Sequence, residues 1–317
     1  MSVPINLNRF DLASLRLLVA TVEGGSLTAG AEWFGISLAA ASKRISELEA
    51  HVGSPLLTRS KRGVVPTPAG MTLMRHAIDI VANLEQLSVA MTDFHRGAGG
   101  HLRLWANTSA FTGFLPGMLA AYSAAHPSVM LDLEDALSED VVRAVARGNA
   151  ELGIVGDNTI AQGLETLVCD ADELVLLMPP GHPLVARPVV PIDEVLGYDI
   201  VGLNRGTSLM RQIAAAADAV GSDLKIRVQV RGFDEVCRMI AAGIGIGILP
   251  KLSVAPHVKS LGLHVSQLTG MRTRRCLLLV MQSRAQLSPP ATEFVAMVKA
   301  RVRDKRWDAL LTTPPGG

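Results

Sequence analysis

Residues 26–49 carry the side chains with the clearest chemistry in the sequence. They predict two short helices joined by a tight turn, and a serine precedes each helix, where its hydroxyl can cap free amide groups. One face of the second helix combines small side chains with hydroxyl and cationic donors, which suits close approach to phosphates and base edges. This combination is typical of a helix-turn-helix whose second helix lies in the DNA major groove. The predicted DNA contacts here are Ser26, Ser37, Leu38, Ala39, Ser42, Lys43 and Arg44.

A basic hairpin at residues 56–66 favours DNA binding over an ordinary helical hairpin. Two short predicted strands flank a turn, and three of the four residues 59–62 are basic. After a recognition helix, such a turn can act as a wing on the phosphate backbone, although alone it would indicate a solvated surface loop. The predicted phosphate contacts are Arg59, Lys61 and Arg62.

A long helix is predicted from Thr67-Pro68 to about Phe94, because threonine caps a helix well and proline suits its first turn. Its apolar residues alternate at spacings of four and three, which is the pattern of a coiled coil. We therefore predict a dimerisation helix, with packing on its own domain as the alternative. The predicted dimerisation residues are Leu73, Ala77, Ile80, Leu84, Leu87 and Met91. The glycine-rich residues 97–100 predict the end of the helix and a hinge.

From His101 onward, strand and helix patterns alternate, which predicts parallel α/β units. Two sets of such units, joined by crossing strands, indicate two subdomains with a cleft between them. The expected helices include 111–125, and the expected strands include 173–178 and 245–249.

Three polar turns follow predicted strands and open helices, at the edge where open α/β sheets bind ligands. Helix N-termini and hydroxyl donors favour a small anion, most simply a carboxylate. Serine and threonine at helix starts are also ordinary caps, and that alternative stays open at each position. The predicted effector contacts are Asn107, Thr108, Ser109, Ser138, Arg205, Thr207 and Ser208.

Composition limits the other classes of protein. The 317 residues exceed one typical domain, 49% are hydrophobic, and the net charge is +1. We find neither an apolar run of the roughly 18 to 20 residues that a membrane span needs nor a signal-peptide core. The cysteines Cys169, Cys237 and Cys276 lack metal-ligand spacing and suit a reduced cytoplasmic protein. No metal or cofactor is predicted, and the common motifs of hydrolases and nucleotide-binding enzymes are missing.

Residues 9–70 closely resemble the winged helix-turn-helix of LysR-type transcriptional regulators. The matching positions are Gly25-Ser26, Ser37, Ala40, Ser42, Lys43, Ile45, Leu48-Glu49, Arg59, Arg62 and Thr67-Pro68-Ala69-Gly70. The family often has glutamine where Leu38 stands and proline or serine where Ala39 stands. Glutamine can pair with adenine through two hydrogen bonds and leucine cannot, so an unusual operator sequence is expected.

The second half resembles the effector domain of the same family. The matching segments are Leu115-Pro116, His126-Pro127, residues 148–154, Gly181-His182-Pro183-Leu184 and residues 243–250. The resemblance implies an α/β fold with an N-terminal winged helix-turn-helix, a long linker helix and a two-lobed effector domain like a periplasmic binding protein. It also implies effector contacts at Ser109 and Ser138, Phe233 on the cleft wall, and pairing of dimers into tetramers.

The expected domain boundaries follow from these patterns. They are 1–66 for the winged helix-turn-helix, 67–96 for the linker and dimerisation helix, 101–170 with 268–304 for effector subdomain I, 171–267 for subdomain II, and 305–317 for a flexible tail.

The expected protein is a cytoplasmic, sequence-specific transcriptional regulator and not an enzyme. Its expected partners are double-stranded promoter DNA, a small carboxylate effector, further copies of itself and RNA polymerase. Two alternatives stay open: a regulator that senses redox state through cysteine, and a solute-binding protein or enzyme on the same two-lobed fold.

Overall fold

The computed structural model describes residues 10–60, 63–96 and 100–304 of the chain. Lys61, Arg62, most of the glycine-rich hinge and the 305–317 tail lie outside the described residues. The chain divides into two compact units, Met1–Thr92 and Asp93–Gly317.

The N-terminal unit is a three-helix core followed by a two-stranded hairpin. Its elements are α1 (Leu12–Glu23), α2 (Leu27–Phe34), α3 (Leu38–Val52), β1 (Leu57–Ser60) and β2 (Gly63–Pro66). Ala41, Ile45 and Leu48 on one face of α3 are buried against α1, as their spacing predicts. The turn between α2 and α3 contains Gly35 at φ +66°, a left-handed conformation that favours glycine.

The linker helix α4 (Pro68–Arg96) begins where the sequence predicts. The Thr67 hydroxyl accepts a hydrogen bond from the Gly70 amide at 3.0 Å and donates one to the Pro55 carbonyl at 2.7 Å. A Cβ atom at Gly70 would overlap the Leu56 carbonyl, so glycine is required there. The hydrogen bond from Thr67 to Pro55 and the close approach of Gly70 to Leu56 fix the start of α4 to the segment before the hairpin.

The first lobe of the C-terminal unit, called lobe I, is built on a sheet with helices on both faces. Parallel strands β3 (His101–Ala106), β4 (Met130–Asp135) and β5 (Leu152–Gly156) are continued by antiparallel β12 (Arg274–Met281). Helix α7 (Ser138–Ala146) packs on one face. The helices associated with the other face are α5 (Thr108–Thr112), α6 (Leu115–Ala125) and α12 (Pro289–Asp304).

The second lobe, called lobe II, has its own apolar core. The 14-residue strand β6 (Glu165–Met178) pairs with β12 in lobe I and continues into lobe II. There it pairs with β10 (Gly247–Pro250) and β11 (His264–Thr269). The remaining elements are β7 (Val189–Pro191), α8 (Ile192–Val195), β8 (Ile200–Leu203), α9 (Ser208–Ala219), β9 (Ile226–Val230), α10 (Phe233–Ala241) and α11 (Lys251–Ser260).

Three sequence predictions for this unit are wrong in detail. The helix expected at 111–125 is divided into α5 and α6 at Gly113, and Pro116 near the start of α6 has no amide to continue a helix. The strand expected at 173–178 begins at Glu165. The sheet is mixed, because β12 runs antiparallel to both β5 and β6.

Candidate functional site

The exposed face of α3 presents the small and basic side chains that the sequence places there. Ser26 caps α2 and Ser37 caps α3, each accepting a hydrogen bond from the amide three residues later, at 3.1 and 3.2 Å. Leu38 is 50% exposed, Ala39 is exposed and Ser42 is half-buried. Lys43 is exposed and lies 3.8 Å from Glu47 in the next turn. The exposed side chains at the start of this face are therefore small or flexible, which suits close approach to another surface.

Arg44 lies differently from its predicted place among the DNA contacts. Its guanidinium is turned to the N-terminus of α1, where Nη1 donates to Asp11 at 3.2 Å. Burial opposes ionisation of Asp11, but hydrogen bonds from Ser14 and the charge of Arg44 together lower its pKa. Arg44 thus connects α3 to α1, which local sequence spacing did not indicate.

Glu49 fixes the hairpin to the recognition helix, a role that the sequence reasoning missed. Its carboxylate accepts hydrogen bonds from the amides of Leu56 at 2.8 Å and Leu57 at 3.2 Å. The Val64 amide also donates to the Gly25 carbonyl at 2.8 Å. The backbone of the wing is therefore held from both sides. The side chain of Arg59, like Lys61 and Arg62, is not described, so these phosphate contacts stay predictions.

The predicted seam along α4 divides into two parts. Leu73 packs partly against the N-terminal core and Ala77 is fully buried within its own chain, contrary to their predicted role in a dimer. The residues further along are between 40% and 56% exposed: Ile80, Leu84, Leu87 and Met91. Exposed apolar side chains at coiled-coil spacing remain available to a partner.

A small polar cavity lies between the lobes, where three helices begin. Its volume is about 20 Å³, which is close to the space of one water molecule. The polar residues that line it are Asn107, Thr108, Ser109, Ser138, Thr207 and Ser208. Six of the seven residues predicted from the polar turns therefore come together.

Several of the polar side chains in the cavity already have partners. Asn107 caps α5 by accepting from the Ala110 amide at 3.1 Å, and its amide nitrogen donates to the Ser138 hydroxyl at 3.2 Å. Thr207 caps α9 by accepting from the Met210 amide at 3.3 Å. The alternative of ordinary caps thus holds for Asn107 and Thr207, and the Thr207 hydroxyl also donates to the Asn204 carbonyl at 3.0 Å.

Two predicted effector residues lie elsewhere. Arg205 is exposed and does not line the cavity. Phe233 is 1% exposed and packs in the core of lobe II, so it is a core residue and not part of the cleft wall. Its position was carried over from the family resemblance, whereas its spacing with Val236, Cys237 and Ile240 places it on the buried apolar face of α10.

Lobe I places a carboxylate next to the cavity. The Thr108 hydroxyl donates to Asp135 at 3.1 Å. Burial raises the pKa of Asp135, the Thr108 hydrogen bond opposes this, and the charge of Glu134 adds to it. Burial thus disfavours the ionised form of this carboxylate, which is hydrogen-bonded to a residue that lines the cavity.

Direct contacts hold the two lobes together around the cavity. The Asn158 side-chain amide of lobe I donates to the Ser208 carbonyl of lobe II at 2.8 Å. The Thr112 and Ser253 hydroxyls lie 3.0 Å apart, and Glu139 forms an ion pair with Arg211 at 2.5 Å. Sequence reasoning missed these residues because their partners are distant in the chain. The cleft is closed in this conformation.

The three cysteines have little thiolate character. Cys169 and Cys237 are buried and Cys276 is half-buried. Burial raises the pKa of all three thiols, that of Cys237 to about 11. Among the described residues we find no cluster of side chains suited to a metal ion.

The winged helix-turn-helix and the two-lobed α/β unit together define a DNA-binding regulator with a ligand-binding domain. Residues 12–71 match the model of the bacterial regulatory helix-turn-helix, lysR family, and residues 95–303 match the LysR substrate binding domain. The chain belongs to the LysR family of transcriptional regulators. In the described part of the chain, we find no helix with the length and apolar character that crossing a membrane requires.

Similar proteins include regulators and solved structures of this family. A probable RuBisCO transcriptional regulator of Synechocystis is 23% identical over 295 residues, covering 91% of this chain and 86% of the relative. The probable regulator LrrA of Synechococcus elongatus is 28% identical over 258 residues, covering 80% of this chain and 85% of the relative. Full-length CbnR complexed with its target DNA has a TM-score of 0.72 at 18% identity, covering 92% of this chain and 99% of CbnR.

Proposed function

We propose that this regulator binds a promoter site through α3 and the wing, and that a small carboxylate between the lobes modulates its activity. The exposed, small face of α3 beside a rigidly held wing backbone is the observation that carries the first part. The solved complex of CbnR with its target DNA supports the same use of the fold. Direct contacts are proposed for Leu38, Ala39, Ser42 and Lys43, with phosphate contacts from Arg59, Lys61 and Arg62.

The active form in this proposal is a dimer, further paired into a tetramer. The exposed apolar residues on the second half of α4 support a dimer seam. A groove of about 550 Å³ between α1, α2 and α4 adds to the exposed apolar surface, because Trp33 on its wall is 62% exposed. RNA polymerase is proposed as the partner that reads the regulatory state at the promoter.

A carboxylate is the effector class that the cleft favours. The cavity lies at the N-termini of α7 and α9, where backbone amides and the helix dipoles favour negative charge. Since the cavity holds about 20 Å³, a carboxylate enters only when the lobes move apart. Effector binding is thereby coupled to the arrangement of the lobes.

A regulatory role is proposed in preference to the two alternatives. Membership in a family of transcriptional regulators supports a role other than catalysis and an action at cytoplasmic DNA. The buried cysteines do not favour redox sensing, because the thiolate is the reactive form and burial disfavours it. We expect peroxide to leave the DNA footprint unchanged; a change that disappears when one cysteine is replaced by serine would contradict this.

The proposal is tested with the full chain and DNA from upstream of its own gene. A gel-shift assay measures DNA binding, and a metabolite library screened for thermal stabilisation identifies the effector, because a ligand of the native state raises Tm. Ser109→Ala should leave DNA affinity unchanged and weaken the carboxylate effector about tenfold or more, as expected for a hydrogen bond to a charged group.

The matched control for Ser109→Ala is Ser266→Ala. Ser266 is also a buried serine, and its hydroxyl donates to the Arg187 carbonyl at 2.7 Å within lobe II. The control variant should bind the effector like the wild type. Equal effector affinity of Ser109→Ala and wild type would mean that Ser109 has a structural role only.

A further inference from the structure

Glu139 and Arg211 form an ion pair across the rim of the cleft. Glu139 lies in the first turn of α7 in lobe I, directly after Ser138, which lines the cavity. Arg211 lies in α9 of lobe II, and its amide donates to the carbonyl of Thr207, another lining residue. The Arg211 Nη2 atom is 2.5 Å from the Glu139 Oε1 atom. This pair therefore bridges the lobes beside the proposed effector site.

The Arg211 guanidinium is incompletely satisfied by these contacts. Nη1 donates to the Gly206 carbonyl at 2.9 Å, which turns the side chain back toward the start of α9. Nη2 is buried and makes no hydrogen bond. The nearby Glu139 oxygen therefore attracts it electrostatically, but it does not lie along the direction of an Nη2–H bond. A guanidinium reaches its full strength with a carboxylate that accepts two parallel hydrogen bonds. Glu139 does not provide that geometry here.

The charges around the cleft indicate which lobe must supply the cation. Lobe I contributes two carboxylates near the cavity, Asp135 next to Thr108 and Glu139 next to Ser138, and none of the residues that line the cavity is a cation. Arg205, the cation expected from the sequence, is exposed and does not line the cavity. Arg211 lies on lobe II one turn beyond Thr207, with its guanidinium at the Gly206 carbonyl.

We propose that Arg211 recognises the carboxylate of the effector and that Glu139 occupies Arg211 until the effector displaces it. The inference rests on the proposed carboxylate effector and names the residue that selects its charge. Without ligand, the Glu139–Arg211 pair helps to hold the lobes closed. When the effector binds, Arg211 exchanges the poorly aligned carboxylate of Glu139 for the effector carboxylate, which is free to align with the guanidinium. Glu139 then no longer connects lobe I to lobe II.

The test uses the purified full chain and matched pairs of small probes: sodium acetate, succinate and benzoate against acetamide, succinamide and benzamide. Calorimetry and thermal shift give affinities for the wild type, Arg211→Gln, Arg211→Lys and Glu139→Gln. Arg227→Gln is the control. Arg227 is also in lobe II, and it forms an ion pair with Asp199 at 2.6 Å, but neither residue lines the cavity. The Tm of each variant without ligand reports that it is folded, and gel shifts on the same samples report DNA binding.

Opposite changes are expected at the two partners. Arg211→Gln should weaken the bound carboxylate about tenfold or more and leave its amide analogue unaffected, because a charge-assisted pair is lost. The carboxylate affinity of Arg211→Lys should lie between those of the wild type and Arg211→Gln, since lysine keeps the positive charge but lacks the planar guanidinium that donates two parallel hydrogen bonds. Glu139→Gln should tighten carboxylate binding about two- to fivefold, the usual worth of a partly exposed ion pair. Arg227→Gln should match the wild type.

The outcomes separate this inference from the function on which it rests. Carboxylate binding that is equal in the wild type and Arg211→Gln overturns the role of Arg211 and leaves the proposed effector class intact. Weaker binding in Glu139→Gln than in the wild type overturns the displacement of Glu139. Normal DNA binding with no carboxylate bound by the wild type or Glu139→Gln overturns the carboxylate class, and the role of Arg211 with it.

Discussion

Leu38 is the residue at which DNA recognition is expected to depart from the family. It is the first residue of α3 and is 50% exposed, so its side chain contributes little to the core of the N-terminal unit. An apolar side chain in the major groove can contact the thymine methyl group, but it cannot pair with adenine. Base preference at the base pair that Leu38 faces should therefore depend on contact with the thymine methyl group and on the shape of the DNA.

Replacing Leu38 with glutamine should change which sequences are preferred. Glutamine adds the donor and acceptor that read adenine and adds no charge, so the salt dependence of binding should stay the same. Binding-site selection followed by a salt titration measures both quantities. The contrasting variant is Arg62→Ala, which removes a proposed phosphate contact and should therefore weaken binding to all sequences about equally and reduce the salt slope by about one. If Leu38→Gln selects the wild-type sites, Leu38 does not face the bases.

Single residues also show where local sequence was sufficient. The caps at Ser26, Ser37 and Thr67 were predictable because each bond joins residues three apart. The turn of Arg44 toward Asp11 joins residues 33 apart. Such a contact depends on how α1 and α3 pack, and sequence spacing does not encode it. The same reason hides the pair of Glu139 with Arg211.

At the scale of elements, the burial of α4 changes along its length. Its first turns are buried in the N-terminal unit through Ala77, whereas Leu84 and Leu87 are 40% and 56% exposed. A heptad pattern reports only that one face is apolar, and it does not distinguish packing within a chain from packing between chains. This is why the predicted seam was too long at its N-terminal end.

Replacing both Leu84 and Leu87 with glutamate should separate the dimer. Four carboxylates would then meet in one apolar seam, where unpaired charge is strongly unfavourable. Analytical ultracentrifugation should show monomers, and gel shifts should show weaker binding because the two DNA readers are no longer linked. Arg75→Glu is a control with the same change of net charge at an exposed site of α4. A double variant that sediments and binds like the wild type would exclude this seam.

The strands that join the lobes were the elements least accessible to sequence reasoning. Only the C-terminal half of β6 was predicted, because its first part, with Cys169 and Asp170, lacks a continuous apolar run. Helix α11 was also missed, since Pro256 inside it usually argues against a helix. The first part of β6 is stabilised by contacts distant in sequence. Buried Asp170 accepts a hydrogen bond from Arg301, and β6 pairs with β12.

At the scale of the whole effector unit, closure depends on close approach between the lobes. Gly156 ends β5 in lobe I, and a Cβ atom there would lie 2.9 Å from the Ser208 hydroxyl oxygen of lobe II. The same Cβ would lie 3.3 Å from the Ser208 Cβ, so rotation of the hydroxyl alone does not relieve the contact. Glycine at this position therefore permits the closed cleft.

Replacing Gly156 with alanine should shift the unit toward an open cleft. Overpacking of this kind costs about 1 to 3 kcal/mol, and separation of the lobes relieves it. We expect faster hydrogen exchange at the amides of the first turns of α7 and α9. Gly117→Ala, in α6 with no atom near the added Cβ, is the matched control and should raise Tm slightly because alanine favours helix. Exchange that is unchanged in Gly156→Ala would mean that Ser208 adjusts locally and that this contact does not control the cleft.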